Sequence, residues 1–328
     1  MAAKVPPGGV WCPAVTFFDP NTDELDLESQ AKYYAYLSKT GLAGLVILGT
    51  NAEAFLLTRE ERKTLIATAR RAIGPEFPIM AGVGAHATKQ VIEHIDDAAE
   101  AGANCVLLLP PAYFGKATTP AVIEKFYADV SRRSKLPIVI YNFPGVCNGV
   151  DLSSDIITRL AQKHDNIVGV KLTCGSVAKI TRLAAALPPS KFATFGGQSD
   201  FIIGGLSSGS VGCIAAFANV FPKTIVKIYD LYRQGKYDEA LKIHQTCALA
   251  EQQIKEGIGA TKYAAAIRSA TYAGIKDAEK KLQPRTPYTP LAETAKVTIR
   301  KGTDECAKIE ESLPLGGSGR FGQIMSRL

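Results

Sequence analysis

A chain of 328 residues, 46% hydrophobic and 21% charged, holds enough apolar side chains for a large core and too few charges to be mainly disordered. Its net charge of +7 is dispersed, with no basic block interleaved with aromatics, so no nucleic-acid partner is expected. Apolar runs such as "GLAGLVILG" are too short to cross a bilayer, so no membrane partner is expected either.

Taken in chain order, β-rich runs fall at residues 10–18, 44–50, 77–84, 104–110, 136–142, 166–172, 192–197 and 209–216. Amphipathic stretches separate them, among them "LESQAKYYAYLSKT" and "TKQVIEHIDDAAEA", with apolar residues at helical spacing. Thr58 followed three residues on by Glu61 marks a helix start through a capping box. Eight strand–helix repeats, with strands that are continuous apolar runs, predict a closed parallel (β/α)8 TIM barrel over residues 1–218. No GxGxxG follows the first strand, which argues against a dinucleotide-binding open sheet. From 219 to 300 the pattern is wholly helical and reads as an extension packed on the barrel. Residues 301–328, Gly-rich toward the end, read as a mobile tail.

The seven cysteines form no CxxC pair and read as reduced, buried thiols. His86, His94, His164 and His244 are scattered, so no metal is expected. The opening "MAAKVPPGGV" lacks the apolar core of a secretory signal. A cytoplasmic address is expected, with peroxisomal import through the terminal "SRL", a variant of SKL, as the alternative.

In a TIM barrel the chemistry gathers at the C-terminal strand ends. Those ends carry Thr50 and Asn51, Tyr113, Tyr141, Lys171 with Thr173, Ser199 with Asp200, and Ile214. Lys171 stands out, because it interrupts the apolar run "IVGVKL". A lysine there either extends its head to water from a strand end or is buried for use as an amine nucleophile. Strands five and six are neighbours in such a barrel, so Tyr141 and Lys171 should share one cavity.

Four ordered motifs resemble the superfamily of dihydrodipicolinate synthase and N-acetylneuraminate lyase. They are "GTNAEAFLLTREER" (49–62), "YNFPG" (141–145), "GVKLT" (169–173) and "GGQSDFIIGGLSSGSVGCIAAFANVFP" (196–222). The resemblance implies a class I aldolase that needs no cofactor and binds a 2-keto acid as an imine on Lys171. It gives Tyr141 the proton shuttle, Thr50 and Asn51 the carboxylate of the keto acid, and Tyr113 a place in a neighbouring subunit's site. It therefore implies a homodimer or homotetramer. Asn51-Ala52 departs from the usual Thr-Gly of the loop and takes one hydroxyl away from the relay.

Dihydrodipicolinate synthases normally carry an arginine after the YNxP proline for a second carboxylate, and residues 141–150 contain none. Lysine biosynthesis is accordingly ranked low. Thr173, Ser199, Asp200 and Ile214 lie where sugar-acid lyases bind their substrates, and the first three suit hydroxyls. The combination is most similar to fungal enzymes that cleave 2-keto-3-deoxy-L-galactonate to pyruvate and L-glyceraldehyde in D-galacturonate breakdown. The alternative is cleavage of 4-hydroxy-2-oxoglutarate. A non-catalytic relative serving as a binding protein would have no need for both Lys171 and Tyr141.

Overall fold

The computed structural model describes residues 3–315. Eight parallel strands close into a barrel in sequence order: β1 (Gly9–Pro13), β2 (Gly44–Ile47), β3 (Ile79–Gly82), β4 (Cys105–Leu108), β5 (Ile138–Asn142), β6 (Ile167–Leu172), β7 (Ala193–Gly196) and β8 (Gly212–Ile214). Each is followed by a helix: α1 (Leu27–Leu37), α2 (Arg59–Ile73), α3 (Thr88–Glu100), α4 (Pro120–Arg133), α5 (Ser154–Lys163), α6 (Val177–Ala186), α7 (Ile202–Ser207) and α8 (Pro222–Arg233). The expected TIM barrel is the fold. The expected capping box forms, with Glu61 N donating to Thr58 Oγ1 and Thr58 N to Glu61 Oε2.

Every strand residue is buried, because one side faces the helices and the other the barrel interior. Trp11, Val46, Met80, Leu107, Val139 and Phe195 belong to the interior layer. Trp11 is fully buried, its ring 6.3 Å from that of Phe195 and its indole N–H donated to Pro7 O. These bulky rings fill the barrel below the strand ends.

One irregularity aims the unusual lysine. β6 shifts register against β5, with Ile138 opposite Ile167 but Val139 opposite Gly169. The extra residue lets Val168 join the interior layer while Ile167 and Val170 pack among the helices. The bulge resets the alternation, so that Lys171 pairs with the inward Tyr141 on one side and the inward Phe195 on the other.

The chain continues through α9 (Tyr237–Gln252), α10 (Ile258–Ile267), α11 (Ser269–Tyr272), α12 (Ala278–Lys281), α13 (Glu293–Gly302) and α14 (Asp304–Ser312). Two sequence boundaries move. The eighth strand–helix unit ends with α8 at Arg233, not at 218, because a barrel helix and an added helix have the same periodicity. Residues 304–312, placed in a mobile tail, form α14 with Cys306 and Glu310 buried. Glu310 accepts from Lys223 N at 3.1 Å and Thr224 N at 2.7 Å, so its carboxylate sits on the positive end of α8. The terminal "SRL" lies outside the described residues.

Candidate active site

Lys171 and Tyr141 face each other across the β5–β6 pair, with 2% and 3% of their surfaces exposed. Lys171 Nζ donates to Tyr141 Oη at 3.1 Å and lies 4.2 Å from the centre of the phenol ring. Tyr141 Oη is 3.3 Å from Thr50 Oγ1 at the end of β2. An amine, a phenol and an alcohol thus form one hydrogen-bonded line at the strand ends. The burial that a snorkelling lysine would avoid is present, and among the described residues no carboxylate is paired with Lys171. Burial pushes the nearby thiols of Cys12 and Cys213 well up, an effect that the neighbouring Lys171 only partly offsets.

Thr50 and Asn51 occupy a tight 3-10 turn, Thr50–Ala52, closed by Glu53 in the left-handed region at φ 56°. Glycine 82 allows this turn to sit close to β3, since a Cβ there would fall 1.9 Å from Leu48 O. Asn51 is half-buried, and its side chain makes no hydrogen bond among the described residues. Successive N–H groups in such a turn suit an anion. Thr50 and Tyr141 line a small cleft of about 10 Å³ with Gly49, Phe55, Arg62 and Gly84, room for about one water. Lys171 is not on that wall; Tyr141, which is, connects the two. Arg62 Nη1 and Nη2 donate to Ala54 O and Gly82 O, both at 2.9 Å, and burial pulls its guanidinium down to about 10.

Thr173 follows β6 with its hydroxyl buried and without a partner among the described residues. Glycine 197 makes room for it, as a Cβ there would be 2.3 Å from Thr173 Oγ1. Ile214, fully buried, lies in the interior layer near Phe195 and Trp11.

Ser199 and Asp200 both meet residues of the C-terminal extension. Ser199 is fully buried and donates its hydroxyl to Glu251 of α9, while its backbone N–H reaches the same carboxylate at 3.3 Å. His244 Nε2 meets Ser199 O at 2.9 Å. Asp200 is ion-paired with Lys255, just beyond α9. Both side chains are engaged by the extension, while Asp200 Oδ1 is buried without a hydrogen-bond partner among the described residues. Burial pushes Glu251 up to about 7.

Tyr113 is 72% exposed and packs on Phe114 and His86, with ring centres 5.3 and 5.9 Å away. Within one chain it contacts neither Tyr141 nor Lys171 among the described residues. Among those residues no three His, Cys, Asp or Glu side chains group as a metal site requires.

The sequence reading passed over Glu251, Lys255, Arg62 and the pair Glu53–Lys262. Glu251 and Lys255 belong to an ordinary charged helical stretch and carry no signal. Lys262 does, being a lone cation in the apolar run "ATKYAAAI".

Residues 6–305 match the family model described as the dihydrodipicolinate synthetase family. The chain belongs to that family. It is a carbon–carbon lyase, as the aldolases and lyases of the family are. A protein of Coccidioides immitis named "Putative 4-hydroxy-2-oxoglutarate aldolase, mitochondrial" is 69% identical over 313 residues, 95% of this chain and all of that one. An L-threo-3-deoxy-hexylosonate aldolase of Hypocrea jecorina is 37% identical over 325 residues, 95% of this chain and all of that one. A crystal structure of a dihydrodipicolinate synthase family protein from Coccidioides immitis superposes with a TM-score of 0.90 at 66% identity, covering 96% of this chain and all of that one. The first of these names overturns the expected cytoplasmic address and its peroxisomal alternative. That expectation leaned on a missing secretory signal and three terminal residues, and neither identifies a compartment.

Proposed function

We propose that this lyase cleaves 4-hydroxy-2-oxoglutarate to pyruvate and glyoxylate by imine chemistry on Lys171. The observation that carries the substrate choice is the engagement of Ser199 and of Asp200 Oδ2 by Glu251 and Lys255, which leaves only the Thr173 hydroxyl and Asp200 Oδ1 without partners at that side of the barrel among the described residues. A short substrate with one hydroxyl suits such a site better than a hexonate with a row of them. The name of the 69% identical relative points the same way.

The Lys171 amine attacks the C2 ketone, and water leaves as the imine forms. Tyr141 takes the proton from the C4 hydroxyl, the C3–C4 bond breaks, and its electron pair passes into the protonated imine. Glyoxylate departs, the enamine is protonated at C3, and water releases pyruvate and the free amine. Thr50 hands protons between Tyr141 and the substrate side, and the 50–53 turn holds the C1 carboxylate. The exposed Tyr113 and Phe114 would be covered in a homo-oligomer.

Borohydride added with pyruvate should fix an adduct on the peptide containing Lys171. The kcat/KM for 4-hydroxy-2-oxoglutarate should exceed that for 2-keto-3-deoxy-L-galactonate. An active enzyme with Lys171 unmodified would overturn the mechanism, and the reverse ranking would overturn the substrate.

A further inference from the structure

Glu53 and Lys262 are opposite charges at the heart of the protein, and the proposed reaction uses neither. Glu53 Oε2 accepts from Lys262 Nζ of α10 at 2.6 Å, and their side chains are 2% and 0% exposed. Glu53 Oε1 accepts from Arg285 N at 2.7 Å, so both carboxylate oxygens are satisfied. Lys262 Nζ also lies 4.6 Å from the centre of the Phe18 ring. Burial pulls the lysine down to about 8 while Glu53 holds it up. A buried pair of this kind is often no more stabilising than apolar side chains of the same volume, so stability alone does not account for it.

Its position supplies a reason. Glu53 closes the Thr50 turn, its N–H donating to Thr50 O at 3.0 Å. It does so in the left-handed region, where a residue with a Cβ is held only by its surroundings. The turn is tethered by Thr16 Oγ1 on Ala52 O at 2.8 Å, by Arg62 on Ala54 O, and at Glu53 by Lys262 and the backbone N–H of Arg285. The contacts at Glu53 come from the C-terminal extension, and the Lys262 pair is the one that reaches a helix of it. Thr50 Oγ1 is the end of the hydrogen-bonded line to Tyr141 and Lys171.

We infer that Glu53 and Lys262 are positioning residues: the extension sets the Thr50 hydroxyl against Tyr141 through their buried ion pair. This rests on the relay role proposed for Thr50.

The test is a double-mutant cycle in the full-length enzyme, with Lys262→Met and Thr50→Val separately and together. Misplacing a relay group by about 1 Å can cost on the order of 10²-fold. Lys262→Met should therefore lower kcat by about 10–100-fold when Thr50 is present, and by less than about threefold in the Thr50→Val background. The fall in Tm should be the same in both, and Lys262→Arg should recover part of kcat. A folded Lys262→Met enzyme with native kcat, or an equal loss in both backgrounds, overturns the inference and leaves the relay standing. Native kcat in Thr50→Val alone overturns both. Should Lys262→Met not fold, Glu53→Gln, which keeps the volume and one acceptor, enters the same cycle. Failure of both to fold would make the pair a structural one and also overturn the inference.

Discussion

The ends of β5 and β6 and the end of β7 carry similar polar residues and use them in opposite ways. Tyr141 is hydrogen-bonded to Lys171 and to Thr50, and among the described residues no side chain of the extension is hydrogen-bonded to these three. Ser199 and Asp200 are taken up by Glu251 and Lys255, which arrive some fifty residues later in the chain. A polar strand end is therefore only a candidate site until the elements packed over it are known. In this barrel the extension decides which ends stay free.

Tyr141→Phe tests the free side and should have the largest effect. It removes the hydroxyl that joins the line of three and keeps the ring, so kcat should fall by roughly 10²–10⁴-fold with the fold retained. Far-UV circular dichroism and steady-state kinetics check this, and activity within about twofold of native would assign Tyr141 to packing alone.

Glu251→Gln tests the engaged side, and its signature is in stability. Burial raises Glu251 in the folded state from the usual carboxylate value of 4.5 to about 7. Between those values the folded protein binds more protons than the unfolded chain, so stability falls as pH rises from about 4.5 to about 7. The neutral amide cannot ionise and should flatten that fall, which amounts to a few kcal/mol. Urea midpoints measured across this range decide it: an unchanged slope in Glu251→Gln would show that the carboxylate is not the group responsible.

The smallest effect is expected from Asp200→Asn. Its charge is matched by Lys255, so kcat/KM for 4-hydroxy-2-oxoglutarate should stay within about threefold of native and stability should drop by at most about 1 kcal/mol. A large gain on the dicarboxylate would mean that Asp200 repels substrate in spite of its partner.

How much of this was legible in the sequence depended on whether the signal was local. The eight strands show as apolar runs because each is buried on both sides, and Lys171 shows because it breaks one of them. The partner across β5 follows from strand order alone. The engagement of Ser199 and Asp200 was not legible, because Glu251 and Lys255 are ordinary surface-type residues until α9 lies against the strand-seven loop. The boundary after 218 was misplaced for a related reason: periodicity identifies a helix and says nothing of what it packs against. Glu310 shows this at the C-terminal end, where a helix assigned to a tail proves to cap α8.

Trp11 and Phe195, both fully buried, pack the barrel interior beside Lys171, which pairs with Phe195 across β6 and β7. If the proposed imine forms on Lys171, the two products part in sequence: the aldehyde fragment is free once the C3–C4 bond breaks, while the pyruvyl fragment stays bonded to the chain until water hydrolyses the imine.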